Sequence, residues 1–158
     1  MWKSIRRNLM SPIKKILIGF LIVFVGVQFI PTERNQSNLI LDSDISKIYS
    51  IPHSVQEILK KSCYDCHSNQ TNYPWYNKIQ PIAWFLEDHI DDAKRDLNFS
   101  EFGAYSDRRK KSKLGSILNQ IEKNKMPLDS YTFIHKDAIL TKQMKSELTR
   151  WINSLGYD

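Results

Sequence analysis

The sequence predicts an all-α protein, with an apolar N-terminal helix followed by a small helical domain. Three observations predict it. Apolar residues recur at spacings of three and four along several stretches, a run of fifteen residues near the N-terminus carries no charge, and no alternating strand pattern of useful length occurs.

The apolar run is Ile16–Ile30, "ILIGFLIVFVGVQFI", with Gln28 as its one polar side chain. As a helix it would cover roughly 22 Å, short of the roughly 30 Å hydrocarbon core of a bilayer. Snorkelling by Lys14 and Lys15 and slight thinning of the bilayer would close that gap. A cleaved signal peptide has an apolar core of similar length, but the exit "VGVQFIPTER" offers no small-x-small cleavage site. Residues 1–30 are therefore expected to be a cytoplasmic flank and an uncleaved transmembrane anchor, with the membrane as partner. The positive flank would stay in the cytoplasm and the body would lie on the far side.

Residues 31–52 lack helical or strand periodicity, sit between Pro31 and Pro52, and read as a tether. Residues 53–158 form the expected domain. Ser54 to Glu57 has the capping-box pattern, and Val55, Ile58 and Leu59 supply the apolar face of a short helix that runs into two cysteines. The stretch "SNQTNYPWYNKIQP" should be a loop. Ile79, Ile82, Ala83, Leu86, Ile90, Ala93 and Leu97 then make one helical stripe, with Glu87, Asp88, Asp91 and Asp92 on a solvated face. Leu114, Ile117, Leu118 and Ile121 mark a further helix after the basic run Arg108 to Lys113. The last helix starts at a Thr141 cap and stops at Gly156.

Charge excludes one class of function. The net charge is +6, but Lys3, Arg6, Arg7, Lys14 and Lys15 lie in the first 30 residues, and 18 basic residues face 17 acidic ones thereafter. The body has no excess of positive charge with which to bind nucleic acid.

The only two cysteines of the 158 residues are Cys63 and Cys66, and His67 follows directly. That arrangement arises by chance in roughly three of ten thousand chains of this composition, so the spacing calls for a chemical reason. A zinc site needs four ligands, and no second cysteine pair exists to complete one. A thiol-disulfide pair opens a helix after a strand, and strands are missing. Cys-x-x-Cys-His is the signature of covalent haem attachment: two thiols spaced for the two vinyl groups of one haem, and an imidazole next in line for the iron. His67 is then an iron ligand. Attachment of this kind is made on the far side of the bacterial membrane in the families that use it, which fits a periplasmic domain and an anchor in the inner membrane.

A second ligand must come from elsewhere, and Met126, followed by Pro127 and set between two helices, is the first candidate. A thioether fills the sixth position and raises the potential, which suits electron transfer. His135 and His89 are the alternatives, and an open position is the third. Met126 could equally be core, as most methionines are. Tyr73, Trp75, Tyr76, Trp84, Phe85 and Trp151 are placed to wall a haem, although any one of them is more often ordinary core. Arg108 and Arg109 could meet the propionates, against the commoner role of a solvated charge run.

A helix, Cys-x-x-Cys-His, a later Met-Pro and a C-terminal helix bearing Trp151 together resemble the small single-haem cytochromes c of the first class, in which a Met-Pro pair supplies the second axial ligand. The chain is also similar to the bacterial haem-binding domain family. "CYDCHSNQTNYPWY", "HIDDAKRDLNFSEF" and "KMPLDSYTFIHKDAILT" carry that similarity over residues 50–155. The resemblance implies one c-type haem on Cys63 and Cys66 in a cytochrome-c-like domain. The expected function is single-electron transfer between redox partners at the membrane, as an electron carrier and not an enzyme. A haem-based sensor or peroxidase-like enzyme with an open or labile sixth site is the alternative, and a tethered module that handles haem without redox turnover is the third reading.

Overall fold

The computed structural model describes residues 11–156. Lys3, Arg6 and Arg7 lie outside the described residues. Eight α-helices are described: α1 (Pro12–Val27), α2 (Ile45–Ile48), α3 (His53–Ser62), α4 (Tyr64–His67), α5 (Ile82–Asp96), α6 (Asp107–Glu122), α7 (Asp129–Ile134) and α8 (Lys142–Ser154). Short 3-10 turns at Trp75–Lys78, Phe99–Ala104 and Lys136–Ala138 join them. Among the described residues the only β pairing is a single bridge between Gln36 and Gln70.

The expected transmembrane anchor is corrected by α1. Among the described residues no helix is long and apolar enough to cross a membrane. α1 has 16 residues, which is roughly 24 Å of helix against a hydrocarbon core of roughly 30 Å. It ends where the backbone turns at Gln28, whose side-chain amide donates to the Gln80 carbonyl at 3.0 Å and accepts from the Gln80 N–H at 2.9 Å. The last three residues of the apolar run leave the α-helix for a tighter turn, with the N–H groups of Gln28, Phe29 and Ile30 donating to the carbonyls three residues back, each at 3.2 Å. The membrane as partner, the inner-membrane location and the cytoplasmic N-terminus rested on that span and are not supported, and the periplasmic placing of the domain loses the topology behind it.

Residues 31–52 do not stand off as a tether but are laid along the body. Asn35 is the main fixing point. Its amide donates to the Ser68 carbonyl at 2.7 Å and to Thr71 Oγ1 at 2.9 Å, its N–H donates to the Tyr73 hydroxyl at 2.7 Å, and its carbonyl accepts from the Thr71 N–H at 2.9 Å. Lys94 Nζ donates to its side-chain oxygen at 2.5 Å. Further on, Ile45 is fully buried. Gly103 donates to the Ser43 carbonyl at 2.7 Å, a close approach that a side chain would crowd, since a Cβ there would lie 2.8 Å from Ile48 Cδ1 and 3.0 Å from Ser43 Cα.

The core lies where α3, α6 and α8 pack together, with α4 continuing from α3 onto α5. Ile58, Leu59, Phe99, Phe102, Leu114 and Leu148 are central to it, and each fully buried side chain of this kind contributes about 1.5–3 kcal/mol relative to exposure. α8 begins as its sequence demands, with Thr141 Oγ1 accepting the Met144 N–H at 3.2 Å, and the chain passes into Gly156 at φ 72°, in the left-handed region. Two starts differ from expectation. α3 opens at His53 behind Pro52 with no side-chain cap, so the Ser54 to Glu57 box is unused. α6 opens at Asp107, capped by Ser106, so the basic run Arg108 to Lys113 is its first turns and not a preceding loop.

Candidate functional site

The cysteine motif is one turn of helix. The Cys63 N–H still donates to the Leu59 carbonyl of α3, and the Cys63 carbonyl accepts the His67 N–H, both at 2.9 Å. Residues three and four apart share a helix face, so Cys63, Cys66 and His67 all point the same way. They line one wall of a cavity. α5 supplies a second wall with Leu86 and His89, and the segment from Met126 to Ile134 supplies a third with Met126 and Tyr131.

His67 is held by its Nδ1. That nitrogen lies 3.1 Å from the Ala93 carbonyl and 3.0 Å from the Leu97 carbonyl, at the C-terminal end of α5. Helix C-termini carry carbonyls without helical partners and a partial negative charge, so an N–H is the group expected there. With two carbonyls as partners Nδ1 is the donor, which leaves Nε2, in the neutral ring, as the nitrogen free to ligate. The ring is also fixed by the edge of Phe99, with centroids 6.4 Å apart and planes at 81°.

Both thiols are suppressed as reactants. Burial first, then the neighbouring Cys66, pushes the Cys63 thiol up to about 12, and burial followed by Asp65 pushes Cys66 up to about 11. Neither is a thiolate at neutral pH, and thiol-disulfide exchange needs one. The fold favours the neutral thiols, so their stabilising contribution is complete below the ordinary value of 9.0 and is lost as pH rises through about 11 and 12. The haem-free protein should accordingly lose stability between about pH 9 and 12, and a Cys63→Ala/Cys66→Ala variant should lose less. Urea midpoints across that range test it, and equal slopes for the two proteins would refute it.

Two tyrosines on the cavity wall are tied to charged or aromatic neighbours. The Tyr131 hydroxyl donates to Asp65 Oδ2 at 2.7 Å, and burial followed by that hydrogen bond raises its pKa. Asp65 Oδ1 accepts the Asn72 N–H at 3.0 Å. The Tyr76 hydroxyl lies 3.3 Å from His135 Nε2, and His135 stacks on Tyr131 with centroids 4.3 Å apart.

The sequence candidates divide clearly. Cys63, Cys66, His67, Met126, Tyr76 and His89 meet on the cavity, along with Phe85. Trp75 does not: it is 75% exposed, edge-on to Tyr76. Trp84 is half-buried on α5 but away from the cavity. Trp151 is in the core, donating from Nε1 to the Ser50 carbonyl at 3.2 Å. His135 does not line the cavity but touches two residues that do, Tyr76 and Tyr131, and Arg109 lies over Tyr105 instead. Asp65, Tyr131 and the carbonyls of Ala93 and Leu97 were not anticipated. Asp65 did carry a signal, as a charge inside an otherwise apolar-walled motif. The carbonyls carry none, because any residue could have supplied them.

The residues present fit a haem. Two thiols, an imidazole with free Nε2 and a thioether are the donor set that haem ligation and attachment use. The cavity is about 220 Å³, below the roughly 300–1,000 Å³ of common ligand clefts. Its rim supplies the remaining apolar contact: Ile82, Phe85, Leu128 and Ile134 line it while 45%, 67%, 41% and 56% exposed. Among the described residues no group of three or more His, Cys, Asp or Glu side chains is gathered to hold a bare metal ion.

A helical body that brings these donors to one apolar cavity defines a small haem-binding protein. Residues 22–154 match the haem-binding domain family, and the chain belongs to that family. No curated protein and no solved structure matches the chain.

Proposed function

We propose that the protein is a single-haem c-type electron carrier, with haem joined covalently to Cys63 and Cys66, His67 as one iron ligand and Met126 as the other. The observation that carries this reading is the pair of carbonyls on His67 Nδ1, which leaves Nε2 free on the face that also presents both thiols. A cofactor fixed by three neighbouring side chains needs no exchange with solvent. Bound haem would supply the one-electron couple, and the chain's own residues would set its surroundings. His67 is oriented by α5, the apolar walls limit water, and a sulfur ligand from Met126 would favour the reduced state.

One observation supports an alternative sixth ligand. His89 faces the same cavity, and its Nδ1 lies 2.9 Å from the Phe85 carbonyl one turn back, which leaves its Nε2 free as well. An open or weakly filled sixth position would suit the sensor or peroxidase-like reading instead. Carbon monoxide separates these. The reduced wild-type protein is expected to bind it slowly, Met126→Ala rapidly, and His89→Ala as slowly as wild type. Rapid binding by the wild type would overturn Met126 ligation and favour the open-site reading.

A further inference from the structure

α7 is poorly anchored by its own residues. It has six residues, no side-chain cap and no buried side chain, and Phe133 and Ile134 are 76% and 56% exposed. A segment with so little buried apolar surface opens easily unless polar contacts hold it. Yet the chain from Met126 to Ile134 forms a whole wall of the cavity. What crosses from it to the rest of the site is the bond from the Tyr131 hydroxyl to Asp65 Oδ2, at 2.7 Å, spanning 66 positions in sequence. Asp65 is itself rigidly placed. Its second carboxylate oxygen accepts the Asn72 N–H, and its carbonyl accepts the Thr71 hydroxyl at 2.6 Å.

We propose that Asp65 and Tyr131 form a latch that seats the Met126-bearing segment against the cysteine motif, which makes them positioning residues for the sulfur ligand. This rests on Met126 ligation as read above and goes beyond it by naming what keeps the sulfur in place. Asp65 occupies one of the two variable positions between the cysteines, so the stretch that would carry the haem also holds the opposite end of the latch. The weaker Tyr76–His135 contact and the Tyr131–His135 stack are retained when the hydroxyl alone is removed.

Tyr131→Phe deletes that hydroxyl and keeps the ring. In the reduced, haem-loaded full chain it is expected to speed carbon monoxide binding about ten-fold, in line with the loss of a hydrogen bond to a charged group. Amide exchange at Thr132 and His135, which donate to the Leu128 and Tyr131 carbonyls, should rise by a similar factor while exchange in α3 and α8 stays unchanged. Met126→Ala should bind carbon monoxide rapidly, and Tyr131→Phe added to it should give no further increase. An unchanged rate in Tyr131→Phe beside a fast Met126→Ala overturns the latch and leaves sulfur ligation standing. Acceleration of Met126→Ala by Tyr131→Phe also overturns it, since the tyrosine would then control access and not the sulfur. If Met126→Ala is no faster than wild type, sulfur ligation itself fails and the latch's role goes with it.

Discussion

Replacing Cys63 and Cys66 together with alanine is expected to abolish all haem that survives denaturing electrophoresis, while either single replacement leaves reduced attachment through the other thiol. The two side chains share a helix face because they are three apart, and that face opens on the cavity. The double variant should still take up haem without a covalent bond, because His67 keeps its hold on the Ala93 and Leu97 carbonyls. Haem staining after denaturation reads the first effect, and absorption of the native protein reads the second. Haem that stays with the double variant through denaturation would refute thioether attachment. No stain in the wild type, expressed where haem attachment is active, would refute it equally.

Phe99→Ala should be the most damaging single change in the core near the site, costing about 3–5 kcal/mol as large-to-small core substitutions do. Phe99 is 1% exposed, and its ring centroid lies 5.3 Å from that of Tyr64 and 6.4 Å from that of His67. The loss therefore reaches the site as well as the fold. Denaturant unfolding of the haem-free protein measures the first part, and the loaded protein's absorption spectrum reports the second. Trp75→Ala supplies the contrast. That side chain is 75% exposed, so its removal should fall within about 0.5 kcal/mol of wild type. A stable Phe99→Ala, or a Trp75→Ala as damaging as Phe99→Ala, would contradict this account of the packing.

Helical periodicity found the body well. α3, α5, α6 and α8 fall where Val55, Ile58, Leu59 and the later stripes placed them, because α3, α6 and α8 bury faces in the shared core and α5 packs on α4. The cysteine motif was legible for the same local reason, being a single helical turn. Composition served less well. Six aromatic side chains were expected around the cavity and of these only Tyr76 and Phe85 line it, since an aromatic side chain fits core, surface and pocket alike. The apolar run at the N-terminus measured hydropathy but not helix length, and the pairing of Gln28 with Gln80, 52 positions away, leaves no local pattern. α7 was missed because it buries nothing and so leaves no stripe. Its site role depends on a long-range bond to Asp65 that no local pattern encodes.

The hydrogen bonds made by Asn35 decide how small a working fragment can be. A fragment cut at Pro52 would keep every cavity residue and still lose the clamp on Ser68 and Thr71 directly behind His67. It would also empty the slot filled by Ile45. Anyone shortening this chain for crystallisation or fusion should therefore begin upstream of residue 35, where the stretch that reads as spacer in the sequence serves as the back wall of the cysteine motif.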